Sequence, residues 1–267
     1  DDAWFKELNA QRPKEPVTVL TIVRRNTSPV RVPLLGKALN KIAQKGLGEI
    51  AASLGQITSV FADALNVTLS PLSISDGAFG SAMAVINFQS YVPLRRGLLT
   101  MVSQDVSDVA LEFGRDGIVT INDGDAVGAV ISVKENPTKT SPGAIDALSG
   151  LDDVVVVQRF APVHRDNVVE QARIRISQMQ ASADLAQSVE AQLVDTVDRI
   201  ESGDLGVGDY ALTVLVHAPS VARLHERVSD VMSICQRAGF RMLWDRAAPA
   251  TEMLSCHPGN GHMSARS

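Results

Sequence analysis

The sequence predicts a mixed α/β (α+β) fold: an N-terminal helix plus an antiparallel meander, then a β-α-β-α-β unit with one very long helix. Three observations predict it. From Asp166 to Glu201, apolar or small residues recur at steps of three or four (Val168, Ala172, Ile176, Met179, Ala183, Ala186, Leu193, Val197, Ile200), with a gap at Glu190 beside Val189. Strand-like runs flank that stretch, Val154-Val155-Val156-Val157 before it and Tyr210 to Val216 after it. Between Asn66 and Val133 the pattern changes to short β-rich runs separated by turn formers.

In chain order, residues 1–16 are polar, contain Pro13 and Pro16, and read as a leader with a short helix around Trp4. Val17 to Arg25 alternates and is β-branched, hence a strand, ended by Asn26-Thr27-Ser28-Pro29. Leu34 to Leu65 is helical by period, as one rod or as two helices broken near Gly46, with Gly46, Gly48 and Gly55 each weakening it by about 1 kcal/mol against alanine. Lys37, Lys41 and Lys45 stand four apart on it. They form either a solvated face or a candidate membrane or partner surface for anionic lipid or acidic protein. The meander takes Val67–Leu69, Ala82–Phe88, Leu98–Val102, Val109–Phe113, Ile118–Ile121 and Val127–Val133 as strands, with a tight hairpin at Phe113-Gly114-Arg115-Asp116-Gly117.

Lys134 to Gly150 is rich in turn formers, with a short helix at Ala144–Leu148. A subdomain boundary is placed there, separating 1–148 from 149–267. The long helix has Asp166 to cap its start and Gly203 to end it. About thirty-five helical residues make a rod of roughly 50 Å. It is either a crossover helix packed on its own sheet or a seam for another subunit. Pro219-Ser220 opens a second helix through Gln236, Gly239 ends it, and Phe240 to Trp244 is the last strand.

The 267 residues suffice for a buried core, and 45% hydrophobic with 21% charged residues is the balance of a globular protein. A net charge of −5 argues against a general nucleic-acid surface. No apolar run approaches the roughly 20 residues that span a bilayer. The chain opens Asp1-Asp2-Ala3-Trp4, with neither initiator Met nor signal peptide, and reads as a segment of a longer protein. Cys235 and Cys256 are too few for a disulfide framework, so a reducing cytoplasm is the simplest setting.

No catalytic, cofactor-binding or metal set is apparent. G-x-x-x-x-G-K-[ST] does not occur. G-x-G-x-x-A occurs at Gly46/Gly48/Ala51 and Gly206/Gly208/Ala211, but neither follows a strand and opens a helix, so both read as chance or capping. His164, His217, His225, His257 and His262 show no zinc spacing. Asp152-Asp153 reads as a cap or turn, and Asp184 as solvated or paired.

From about residue 134 a family comes into view. Its carriers are Lys139 to Leu148, Gln158-Arg159-Phe160, Asp184 with the helix to Ser202-Gly203, Gly208-Asp209-Tyr210, Ala238-Gly239-Phe240, and Glu252 to Asn260, ending in Pro258-Gly259-Asn260 with Arg266 after it. In order and spacing they resemble the N-terminal part of the CagE/TrbE/VirB ATPases of type IV secretion systems. The likeness is closest over 134–267, loose over 1–70 and unclear over 73–133. Met253-Leu254, Cys256-His257 and Trp244-Asp245-Arg246 depart from the family pattern.

The resemblance implies a docking and assembly domain, itself non-catalytic. It belongs to a cytoplasmic ATPase, peripheral on the bacterial inner membrane, that energises pilus biogenesis and the transfer of DNA or protein. ATP and Mg are expected in a C-terminal core that follows Pro258-Gly259-Asn260 and is missing here. The implied partners are inner-membrane subunits, further copies (a hexamer at full length) and other secretion ATPases. Two rival readings are a stand-alone α/β adaptor without ATPase activity and a small-molecule enzyme.

Overall fold

The computed structural model describes residues 52, 55–60, 62–63, 78–88, 109–124, 126–141, 143–182, 187–258 and 260–264. The chain divides into two compact units, Asp1–Asp108 and Val109–Ser267. The expected strands at 17–25, 67–69 and 98–102 lie outside the described residues, as do Lys37, Lys41 and Lys45. In the first unit, 55–60 is helical, and so is α1 (Ala78–Ile86). The predicted strand Ala82–Phe88 is therefore corrected to a helix that ends in a turn at Asn87 and Phe88. A short apolar run does not distinguish the two by composition. Burial here does not alternate as it does along a half-buried strand: Met83 and Ala84, then Ile86, Asn87 and Phe88, are buried in succession on either side of the exposed Val85.

In the second unit, β1 (Leu111–Phe113), β2 (Ile118–Ile121) and β3 (Ala126–Glu135) form the last three strands of the expected six-strand meander. Its hairpin closes through the Gly114 N–H donating to Ile118 O (2.8 Å), with Gly117 at φ +84°. A Cβ on Gly117 would stand 2.9 Å from Asp245 O and from Trp244 Nε1, so only glycine fits there. The remaining strands are β4 (Val154–Pro162), β5 (Gly208–Ala218) and β6 (Arg241–Trp244). The sheet runs β1-β2-β3-β5-β4, with β6 paired to β3, and every pairing is antiparallel.

β3 and β5 are central, and both of their faces are covered: residues 128–133 and 211–216 are buried without a break, and all but Ser132 and Thr213 are apolar or glycine. The boundary expected at 148/149 falls inside this unit, because β3 before it bonds to β5 and β6 after it. The turn-rich segment between β3 and β4 carries a 3-10 turn at Asp146–Gly150, which buries Leu148.

The helical stretch between β4 and β5 needs the larger correction. It is two helices, α2 (Arg165–Ser182) and α3 (Gln187–Glu201), folded back on each other. Val169 packs with Val197 and Ile200, and Arg173 pairs with Glu201, so the start of α2 meets the end of α3. Sheet geometry requires this. Pro162 stands opposite Gly208 in register, and the Val163 N–H donates to Val207 O at 3.1 Å. A straight rod of roughly 50 Å would carry the chain away from the end of β4, whereas a helical hairpin returns it there. The fold-back also gives the apolar stripe a partner, namely itself. Gly203, at φ +85°, ends α3 as expected.

One sheet face is covered by α4 (Val221–Arg237), capped by Ser220 and stopped at Gly239 (φ +86°). Its Leu224, Val228, Val231 and Cys235 pack on Ile131, Val133, Leu212, Val214 and Val216. Each such buried side chain contributes about 1.5–3 kcal/mol.

Candidate functional site

The opposite face of the sheet is covered by the C-terminal segment, and polar groups hold it there. Asp245 is buried at the end of β6; its N–H donates to Val130 O (2.8 Å). Its Oδ1 accepts from the N–H groups of Ala247 and Ala248 (3.2 and 3.0 Å), and its Oδ2 accepts from Ser132 Oγ (3.4 Å). These bonds aim the chain into α5 (Pro249–Ser255), whose first position is proline, pre-set for a helix start. Inside α5, Glu252 and Met253 are buried. The Glu252 carboxylate accepts from Ser264 Oγ at 3.2 and 3.1 Å, which ties the segment's end back to its helix.

Arg159 of β4 makes the second tie. Val155, Val157 and Arg159 share the face opposite α4, and Arg159 Nη1 donates to Ser255 O (3.2 Å) and Gly261 O (3.1 Å). Its Nε and Nη2 are buried without a hydrogen-bond partner among the described residues. Cys256 lies beside it; burial pushes its thiol up to about 12, against the lowering effect of the Arg159 cation. Cys235, under α4, is pushed up to about 11 by burial. Both thiols are protonated at neutral pH and are poor nucleophiles there. Burial lowers the pKa of His257.

Pro258 and Asn260 of the family-like tripeptide lie between these ties. Pro258 and Asn260 are half-buried, and Gly259 lies outside the described residues. The Asn260 N–H donates to His257 O (3.0 Å), and Asn260 O accepts from the Met263 N–H (2.8 Å), which starts the 3-10 turn Gly261–Met263 and brings Gly261 to Arg159. The residues that follow the tripeptide, Gly261 and Ser264, are thus the ones joined to Arg159 and Glu252. Sequence reasoning noted Gln158-Arg159-Phe160 only as a strand end. The period-two alternation of Val155, Val157 and Arg159 was the signal that Arg159 points under the segment.

The second G-x-G-x-x-A match resolves into packing. A Cβ on Gly208 would lie 2.5 Å from Ala161 O and 2.6 Å from the Phe160 ring, so this glycine is a close approach between β5 and β4. Asp153 sits in a turn at φ +61°, its carboxylate 3.4 Å from His217, and Asp152 faces Arg227 at 3.9 Å. A shallow cleft of about 350 Å³ lies between Lys139, Thr140, Ser141 and Ala144 on one side and Ile234 and Arg237 on the other. Among the described residues no three His, Cys, Asp or Glu side chains stand together to hold a metal ion, and no helix is long and apolar enough to cross a membrane.

The chain is similar to protein virB4 of Rhizobium radiobacter, 29% identical over 124 residues, which cover 43% of this chain and 16% of that protein. It is also similar to protein virB4 of Agrobacterium fabrum (strain C58 / ATCC 33970), 25% identical over 135 residues, 50% of this chain and 17% of that protein. The matched stretch is about a sixth of the length of these relatives. A match to a family described as the CagE, TrbE, VirB family, component of type IV transporter system, runs over residues 83–266, further toward the N-terminus than the motifs from residue 134 indicated. It takes in α1 from Met83 onward, the whole sheet and the polar ties of the C-terminal segment, and on that span the chain belongs to the CagE, TrbE, VirB family of type IV transporter components.

Proposed function

We propose that this chain is the N-terminal docking and assembly domain of a type IV secretion ATPase, and that it does not itself hydrolyse nucleotide. The observation that carries the reading is the family match over 83–266, joined to the coverage of only about a sixth of the relatives' length. On this reading ATP and Mg are bound by a further core of such a protein. The segment held here attaches that core to inner-membrane subunits and to further copies of itself, and the assembly moves DNA or protein. One feature of the second unit supports it: the C-terminal segment is fixed to the sheet by polar bonds that hold its direction. The test is phosphate release from ATP and Mg by the purified chain. A rate indistinguishable from the protein-free blank is expected, and sustained turnover overturns the non-catalytic reading.

A further inference from the structure

β4 is the last strand of the sheet and, among the described residues, bonds to β5 alone. Which of its groups face outward follows from the ladder. The Val163 N–H donates to Val207 O, and Asp153 O accepts from the His217 N–H, so odd-numbered residues turn their backbone groups toward β5. In an antiparallel ladder the intervening residues turn theirs away. Val154, Val156, Gln158 and Phe160 therefore present a row of N–H and C=O groups with no strand partner among the described residues, and Pro162, without an N–H, ends it.

Natural edge strands are blunted by charges, prolines or bulges. Val154 to Phe160 has no proline, and its pairing with β5 is unbroken. Its one charge, Arg159, is turned under the C-terminal segment. Phe160 is 58% exposed, with its ring lying against the bare backbone of Gly208.

We propose that two copies of this chain pair antiparallel through β4, about a two-fold axis at Val157, continuing the sheet from one copy into the next. The row is self-complementary in that register alone: Val154 falls opposite Phe160 of the second copy and Val156 opposite Gln158, so every outward N–H meets an outward carbonyl. The exposed Phe160 ring gains a β-branched neighbour, a favourable cross-strand pair. No charged side chain belongs to the outward set, so the contact brings no like charges together. It is isologous, closing as a dimer, and it uses strand addition to a free edge. The inference deepens the assembly part of the reading above but stands on the β4 edge alone. A chain that stays monomeric sinks the pairing and leaves docking on membrane subunits untouched.

The experiment is sedimentation velocity of the full chain over a wide concentration series, with far-ultraviolet circular dichroism as the check on folding. A reversible dimer is expected. Gln158→Pro removes one outward backbone donor and no backbone bond to β5, though it also loses the side-chain bond that Gln158 Oε1 accepts from Tyr210 Oη (3.1 Å); Phe160→Lys puts a charge on the edge and leaves that bond in place. Acting twice across the two-fold, each should weaken the dimer by about tenfold or more, where tenfold is 1.4 kcal/mol. An independent readout is Val157→Cys. Directly opposite residues of this type have Cα atoms about 4.5 Å apart, within disulfide reach. Mild oxidation should link that variant as a dimer, whereas Val155→Cys, opposite Arg159 of the second copy, should stay unlinked. The native Cys235 and Cys256 are buried and free. A monomer at every concentration, a dimer unaffected by both edge variants, or linkage through residue 155 in place of 157 overturns the proposal.

Discussion

Gly208 leaves no room for a side chain, because the backbone oxygen of Ala161 and the Phe160 ring occupy the position of its missing Cβ. Gly208→Ala should cost about 1–3 kcal/mol, the range for overpacking. Gly206→Ala, with nothing within 4 Å, should change stability by no more than about 0.5 kcal/mol. Urea unfolding of the two variants checks this, and equal effects would return the pair of glycines to a shared role. His257 carries the pH dependence at this scale. Burial lowers its pKa below the usual 6.5, so the unfolded chain binds the proton more readily. Its contribution is present above pH 6.5 and is lost as pH falls toward the folded value. The urea midpoint of the native chain should drop between pH 7.5 and pH 5.5, and His257→Gln should make that drop smaller; an identical drop in the variant removes His257 as its source. Pro258-Gly259-Asn260 was legible as part of the family likeness. The bonds of Arg159 were not, since its acceptors on Ser255 and Gly261 lie 96 and 102 positions away.

Most elements of the second unit were legible because their local signals agree. β2 occupies the predicted Ile118–Ile121, and α4 begins after Ser220 and stops before Gly239. The two elements misread were those where period alone is ambiguous. A stripe of apolar residues at helical spacing is the same in one rod as in two antiparallel helices, and only the facing of Pro162 and Gly208 tells them apart. The apolar run at Ala82–Phe88 suited strand and helix alike until burial chose between them. The hairpin core is small, with Val169, Val197 and Ile200 at its centre. Ile200→Ala, at a position 2% exposed, should therefore destabilise the hairpin by about 2–4 kcal/mol. Amide exchange should show α2 and α3 losing protection while β3 and β5 keep theirs. Equal loss throughout would show that hairpin and sheet unfold as one.

At the scale of the whole molecule, a net charge of −5 sets what surfaces of this chain attract, and a basic stripe stands out against it. Lys37, Lys41 and Lys45 lie outside the described residues, but their spacing in a helical period is a property of the sequence. If they hold the chain to anionic lipid at about 1 kcal/mol each, changing all three to Glu should release it from anionic vesicles in a flotation assay; unchanged binding discards the idea. The sequence by itself determined the positions and types of β1 to β6 and α4, the caps and turns that bound them, and the family likeness, because those depend on residues within a few positions of one another. Only the tertiary structure decided the strand order, the fold-back of α2 on α3, the burial of Arg159 and Glu252 beneath the C-terminal segment, and which strand ends the sheet among the described residues. Each of these is a pairing between residues far apart in the chain, where the same local pattern is compatible with several partners and packing selects one.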